Sequence, residues 1–98
     1  ERFSPTDLVG AALASCIATT LGLLAERRGW DLRGLRVEVD KEMSSAPPRR
    51  IARLPATVWM PLPLPEEDRK LVESTARSCP VSRSLSSEVE SSICVRWP

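Results

Sequence analysis

The sequence predicts a single α+β domain in which a long central helix packs on a small antiparallel sheet with two shorter helices. The chain has 98 residues, a length typical of one domain. An uncharged apolar segment lies near its start, and later segments alternate apolar and polar residues. Hydrophobic residues make up 42% of the chain and charged residues 28%, a balance that favours a packed globular protein over a disordered one.

The first element is a helix with clear signals at both ends. Ser4 is a suitable N-cap, Pro5 suits the first helical position, and Asp7 can return a capping-box hydrogen bond. Gly29 follows two arginines and predicts a left-handed C-cap. Together these residues predict a helix over 5–28.

The apolar part of this helix runs from Leu8 to Ala25 and reaches the length of about 18 residues at which a membrane span becomes a candidate. Many of its residues insert weakly into lipid, so a buried core helix is favoured over a membrane span. Small residues recur every four positions on one face, at Gly10, Ala14, Ala18 and Gly22. Because so small a domain cannot surround a whole helix, we expect a second copy of the chain to cover it.

After this helix the apolar period changes to two, which is typical of half-buried strands. Residues 35–40 alternate in this way and predict one strand. Residues 44–48 predict a loop, and residues 51–60 predict the returning strand. Pro55 lies inside that second strand and requires an edge position or a bulge there.

The last third of the chain predicts two shorter helices and a final strand. Pro65 can begin the first of these helices, because three acidic residues follow it at the positive end of the helix dipole. Pro80 suits the start of a short helix that reaches about Ser86. Residues 89–95 alternate again and predict the last strand.

The composition excludes several classes of function. The net charge of +1, from 14 basic and 13 acidic residues, gives no electrostatic basis for binding nucleic acid. The chain has no histidine, so it cannot supply a Ser-His-Asp or Cys-His group or a histidine zinc ligand. Three cysteines are too few for an all-cysteine zinc site and make a poor disulfide framework. We therefore expect no metal and no nucleic-acid partner, and a cytoplasmic protein with reduced thiols.

The cysteines are the candidate functional residues. Cys16 lies in the middle of the apolar helix, where an inert buried side chain is the simplest interpretation. Cys79 directly precedes Pro80 at a predicted helix start, where backbone N–H groups favour a thiolate. A plain N-cap without a redox role is the alternative for Cys79. Cys94 alternates out of phase with its apolar neighbours, so we expect a structural residue that faces away from their layer.

Two segments, in this order, resemble the OsmC/Ohr family of thiol-dependent peroxidases. Residues Ser4–Trp30 are similar to the family's proline-started, alanine-rich central helix, which carries one cysteine. Residues Cys79–Leu85, CPVSRSL, are similar to its Cys-Pro-Val motif, which opens a short helix. The predicted strand hairpin lies between them, as in the family. The resemblance covers essentially the whole chain, so we expect residues 1–98 to form one OsmC-like domain.

This resemblance implies a cysteine-based peroxidase that reduces organic or hydrogen peroxides in an oxidative stress response. Cys16 would be the peroxidatic thiolate that becomes a sulfenic acid, and Cys79 the resolving thiol that joins it in a disulfide. An external dithiol would then reduce the pair, with no metal or bound cofactor and no membrane. The family's site lies at the interface of an intertwined homodimer, so Leu13 and Ile17 are expected to line an apolar substrate pocket.

The sequence also departs from the family pattern. Members typically have β-strands before the central helix, and we expect this chain to be a short member without them. Those strands usually supply an arginine that stabilises the reactive thiolate, and Arg2 is the only arginine before the helix here. Thr6 stands where Ohr-type members have glutamate, and Ser82 where they have histidine. These departures keep an alternative open: a non-catalytic OsmC-fold dimer that binds a small apolar ligand at its interface.

Overall fold

The protein has a mixed helix and sheet architecture, which confirms the predicted α+β class with one long helix and two shorter ones. A computed structural model describes residues 4–98. In chain order the elements are α1 (Pro5–Arg28), β1 (Arg36–Val39), β2 (Glu42–Met43), β3 (Ile51–Arg53), β4 (Ala56–Trp59), α2 (Glu66–Arg77), α3 (Pro80–Arg83) and β5 (Ile93–Arg96).

Helix α1 begins and ends at the predicted residues. The Asp7 N–H donates to Ser4 Oγ at 3.3 Å, and the Ser4 N–H donates back to the Asp7 carboxylate at 3.2 Å. This reciprocal capping box satisfies two N–H groups that the helix itself leaves unpaired. Gly29 ends the helix with φ 75, a left-handed conformation that glycine adopts without steric cost.

The strands form a three-stranded sheet in the order β1-β4-β5 and a two-stranded sheet of β2 and β3. β1 and β4 are antiparallel, whereas β4 and β5 are parallel. The prediction of a wholly antiparallel sheet is therefore wrong for β5. Between β4 and β5 the chain crosses over through α2 and α3, and such a crossover brings the next strand back in the same direction.

The predicted strand over 51–60 is divided into β3 and β4 at Pro55. Proline has no N–H to donate to a ladder, so regular pairing stops there. The Pro55 carbonyl still accepts a hydrogen bond from the Asp40 N–H at 2.9 Å. The interruption lets β3 pair with β2 and β4 pair with β1, so the hairpin contributes to both sheets.

One hydrophobic core lies between α1, the three-stranded sheet and α2. The register places Val37, Val58 and Val95 side by side on one face of the sheet. Buried side chains come from every layer: Leu13, Ile17, Leu21 and Leu24 from α1, Ala56 and Val58 from β4, and Val72 and Ala76 from α2. This burial of apolar surface is the main force that holds the layers together.

Helix α1 is long and apolar enough to cross a membrane by length and composition alone. Its most apolar window of 18 residues has a mean hydropathy of 2.0, and 33% of that window is buried inside the chain. The core helix of a soluble protein passes the same test. Its buried leucine side chains pack against the sheet and α2, as a core helix requires.

The other side of α1 is uncovered in a single chain. We call this surface the outer stripe; it consists of the exposed residues Leu8, Ala12, Ser15, Thr19 and Leu23. Leu8 and Leu23 are each 56% exposed. Because both faces of α1 are largely apolar, the core explains only one of them, and the outer stripe is free to meet another molecule.

The capping box gives a direct test of the start of α1. Replacing Ser4 by alanine (Ser4→Ala) removes the acceptor for the Asp7 N–H, so we expect the free energy of unfolding to fall by about 1 kcal/mol. Urea denaturation followed by circular dichroism measures it. Ser87→Ala, at an exposed position outside the helices, is the matched control. Equal losses in both variants would contradict this account of the helix start.

Candidate active site

Cys16 lies at the boundary between the buried side of α1 and the outer stripe. With 3.6 residues per turn, Cys16 falls between buried Leu13 and Ile17 on one side and exposed Ala12 and Thr19 on the other. Its side chain is accordingly half-buried. The Cys16 thiol therefore packs against the core on one side and stays partly exposed on the side of the outer stripe.

Cys79 is the N-cap of α3 and is completely buried, with 0% of its surface exposed. Helix α2 ends at Arg77, and Pro80 then occupies the first turn of α3. The two-residue gap between the helices forces the chain to turn, and this turn directs the Cys79 side chain into the core. Cys79 belongs to the same buried cluster as Val72 and Ala76 of α2.

The structure brings Cys16 and Cys79 together at the contact of α1 with α3. The Cys16 side chain lies close enough to Cys79 to raise the pKa of the Cys79 thiol. The Val81 N–H, in the first turn of α3, donates to Cys16 Sγ at 3.5 Å. Both cysteines are free thiols here. Two sulfurs and a backbone donor therefore meet in one small region, although the cysteines are far apart in sequence.

Burial raises the pKa of the Cys79 thiol above its ordinary value. The backbone N–H groups of Ser82 and Val81 oppose this rise, whereas the hydrogen bond and the charge of Cys16 add to it. A negative charge on Cys16 makes a second negative charge close by unfavourable. Loss of the proton from Cys79 is therefore disfavoured.

Among residues 4–98, the groups that act on the pKa of Cys79 include no cationic side chain. Arg77 and Arg83, the two arginines nearest to Cys79 in sequence, are both exposed. Arg2, the only arginine that precedes α1, lies outside the described residues. Within the described part of the chain, the polar support of the two sulfurs therefore comes from the backbone of α3.

Thr6 and Ser82, where the sequence departs from the family pattern, have local structural partners. Thr6 Oγ1 accepts a hydrogen bond from Lys41 Nζ at 3.0 Å, and the same ammonium pairs with the Asp7 carboxylate at 2.7 Å. Ten residues separate Thr6 from Cys16, about 15 Å along a helix. The Ser82 hydroxyl donates to the Arg77 carbonyl at 3.2 Å and so ties α3 to the end of α2.

Leu13 and Ile17, the expected pocket residues, are both 0% exposed. Within one chain neither side chain can line a space that solvent reaches, because each faces the core. The outer stripe borders the half-buried side of Cys16 instead. This position was not predictable from the sequence, since leucines and alanines occur on both sides of α1 and no polar face marks the surface.

Cys94 lies far from the thiol pair in the architecture. It stands opposite Thr57 in the β4-β5 register and is exposed, on the sheet face opposite to the one that bears Val58. The prediction that it faces away from its apolar neighbours is confirmed. Among the described residues, no group of three or more His, Cys, Asp or Glu side chains could hold a metal ion.

Comparisons with known proteins agree with this arrangement. A family model described as "OsmC-like protein" matches residues 1–93. A Psychrobacter arcticus protein, named for osmotic stress induction and a detoxification response, has 32% identity and a TM-score of 0.91 over 98% of this chain and 69% of its own. No curated protein sequence matches this chain.

Two more distant structures show the same fold. The organic hydroperoxide resistance protein OsmC of Legionella pneumophila is 16% identical, with a TM-score of 0.77 over 94% of this chain and 68% of its own. The organic hydroperoxide resistance protein OhrB of Bacillus subtilis is 18% identical, with a TM-score of 0.75 over 95% of this chain and 70% of its own. The fold is thus that of proteins associated with organic hydroperoxide resistance.

The environments of the cysteines predict an order of reactivity toward iodoacetamide. Exposed Cys94 should be alkylated at least about tenfold faster than Cys79 at pH 7, because only an accessible thiolate reacts. Since the pKa of Cys79 is raised, its alkylation should increase only at a pH above the ordinary thiol value of about 8.5. Peptide mapping over time measures both rates. Equal rates at pH 7 would contradict the burial of Cys79.

Proposed function

The chain belongs to the OsmC-like protein family, and from this we propose that it is a thiol-dependent peroxidase that reduces organic or hydrogen peroxides. The observation that carries the proposal is the meeting of Cys16 and Cys79 at the contact of α1 with α3. A half-buried thiol beside a fully buried one suits a reaction that starts at the first and ends in a disulfide.

In the first step the Cys16 thiolate attacks the terminal oxygen of a hydroperoxide. The O–O bond breaks, an alcohol leaves after taking up a proton, and Cys16 becomes a sulfenic acid. The Val81 N–H, 3.5 Å from Cys16 Sγ, supports the thiolate before the attack. Hydrogen peroxide reacts in the same way and releases water.

In the second step Cys79 attacks the sulfur of the sulfenic acid. Water leaves and a Cys16–Cys79 disulfide forms. The two roles follow from the environments of the thiols. Cys79 is buried and keeps its proton while Cys16 is charged, so it stays in reserve until the charge on Cys16 has been consumed. An external dithiol then returns the pair to two thiols, and no metal or organic cofactor takes part.

We propose that peroxide reaches Cys16 from the side of the outer stripe. Leu13 and Ile17 support the thiol from the core but do not face solvent in one chain. Ala12, Ser15 and Thr19 are exposed and lie on the open side of Cys16. Their small side chains leave room beside the sulfur for an apolar peroxide.

We propose that two copies of the chain associate through α1. The outer stripe presents two exposed leucines, one near each end of the helix. A Cβ added at Gly22 would meet no atom of the described residues within 4 Å, so a neighbouring backbone can approach there closely. A second copy would cover this surface and enclose the approach to Cys16. We place this homodimer in the cytoplasm, where its thiols can be reduced again.

The proposed reaction predicts the fate of each thiol. One equivalent of cumene hydroperoxide should consume two of the three thiols and lower the mass of the chain by about 2 Da, because two S–H bonds become one S–S bond. Intact-mass analysis and peptide mapping should identify Cys16 and Cys79 as the joined residues. Cys16→Ser should abolish peroxide consumption. Cys79→Ser should accumulate a sulfenic acid on Cys16 that dimedone traps.

Cys94→Ser is the matched control, because Cys94 is exposed and distant from the pair. This variant should consume peroxide at the rate of the unmodified protein. Three unreacted thiols after prolonged exposure would contradict the peroxidase proposal. That result would instead favour the non-catalytic OsmC-fold dimer that binds an apolar ligand.

The proposed homodimer predicts that a charge in the outer stripe will separate the chains. Leu23→Glu should convert a dimer to a monomer in analytical ultracentrifugation, because a carboxylate would have to be buried at the interface. Ser74→Glu, at an exposed position on α2, introduces the same single negative charge and should remain dimeric. An unmodified protein that sediments as a monomer, or a Leu23→Glu variant that remains a dimer, would contradict the proposed interface.

A further inference from the structure

The two sulfurs of the candidate pair differ in how they can be reached. Cys16 is half-buried at the edge of the outer stripe, whereas Cys79 has no exposed surface. Cys79 is enclosed by its own chain, in the same buried cluster as Ile17, Val72 and Ala76. Association with another copy can only add to this enclosure. A reagent of any size therefore meets Cys16 before it meets Cys79.

The chemistry of thiol–disulfide exchange makes this difference decisive. A thiolate attacks one sulfur of a disulfide along the line of the S–S bond, from the side opposite the leaving sulfur. Cys16 keeps part of its surface exposed, so an attack on Cys16 can come from outside the core. An attack on Cys79 must come from the opposite direction, through the packed core that surrounds this residue. The core has no room for a second nucleophile there.

We propose that the external thiol reduces the Cys16–Cys79 disulfide by attacking Sγ of Cys16, with Cys79 as the leaving group. The proposal rests on the proposed peroxidase reaction, because that reaction forms the disulfide. The point of attack also follows from the peroxidase reaction. Peroxide must have a path to Cys16 Sγ, and the external thiol can use the same path. Cys16 is then the point of contact with both the oxidant and the reductant, while Cys79 meets neither.

The atoms and electrons balance in two exchanges. The first thiolate of the reductant forms a bond to Cys16 Sγ, the Cys16–Cys79 bond breaks, and the Cys79 sulfur leaves with the electron pair and takes up a proton. The second thiol of the reductant then attacks the reductant's own sulfur in the mixed disulfide. The Cys16 thiolate is released and the dithiol is oxidised to a disulfide. In total, two electrons pass to the protein, Cys79 takes up one proton, and the second proton of the dithiol goes to solvent because Cys16 leaves as a thiolate.

The surroundings of Cys79 disfavour its attack on the mixed disulfide after it has left. A thiol with a raised pKa leaves more slowly, so access to Cys16, and not the quality of Cys79 as a leaving group, sets the point of attack. Burial then raises the pKa of the thiol, so it takes up a proton at neutral pH. Because a thiol is a far weaker nucleophile than a thiolate, the reverse attack on the mixed disulfide is slow. The second thiol of the reductant has time to complete the reduction.

The test uses the full-length chain with Cys94→Ser, so that only the pair can react. The disulfide is formed once with cumene hydroperoxide and once with diamide, which oxidises thiols without peroxide chemistry. A limiting amount of glutathione is added, acid quenches the reaction after short intervals, and N-ethylmaleimide in urea then alkylates the free thiols. Peptide mapping then shows which cysteine carries glutathione and which carries the alkyl group. We expect glutathione on Cys16 and the alkyl group on Cys79, with a preference of about tenfold or more.

The same oxidised chain in concentrated urea is the matched control. There both sulfurs are exposed, so the preference should fall close to one. Glutathione mainly on Cys79 in the folded protein, or an equal preference in folded and unfolded chains, would overturn the proposal. A disulfide that forms with diamide but not with peroxide would overturn the peroxidase alone, and the point of attack would still be measured. If neither oxidant joins the two cysteines, both proposals fail.

Discussion

The contact between the middle of α1 and the first turn of α3 is the constraint on which the proposed chemistry depends. The Val81 N–H donates to Cys16 Sγ across 65 positions of the chain, and Cys79 lies beside them. Helix α1 is long and has a cap at each end, so it holds Cys16 in a fixed position relative to the sheet. The crossover from β4 through α2 places the start of α3 next to Cys16. Loss of either support would separate the sulfurs without changing any residue at the site.

The roles that we propose for the two thiols differ because the core covers them differently. Packing encloses Cys79 and keeps it protonated, whereas Cys16 stays at the margin of the core, next to the outer stripe. Helix α1 is apolar on both sides: one side closes the core of the chain, and the other is the surface that we propose a second copy covers. Access, reactivity and association are thus three consequences of where one helix is buried and where it is not.

Local signals made much of this architecture predictable. Ser4, Pro5 and Gly29 predicted the ends of α1, and the segments that alternate with period two predicted the strands. Both kinds of signal depend only on residues that are close in sequence. The parallel pairing of β5 was not predictable in this way, since it depends on the path through two helices. The pairing of Cys16 with Cys79 came from the resemblance rather than from spacing. The exposed side of Cys16 was missed because an almost uniformly apolar helix does not show which face the core will choose.

The most direct test of the central claim is a crystal structure of the protein after reaction with excess cumene hydroperoxide. The account predicts continuous density between Cys16 and Cys79 Sγ, with α1 and α3 displaced by less than about 1 Å, because the two thiols already meet in the reduced state. Cys16 oxidised to a sulfenic or sulfinic acid beside an intact Cys79 thiol would contradict the claim. So would a disulfide that includes Cys94 in place of either residue.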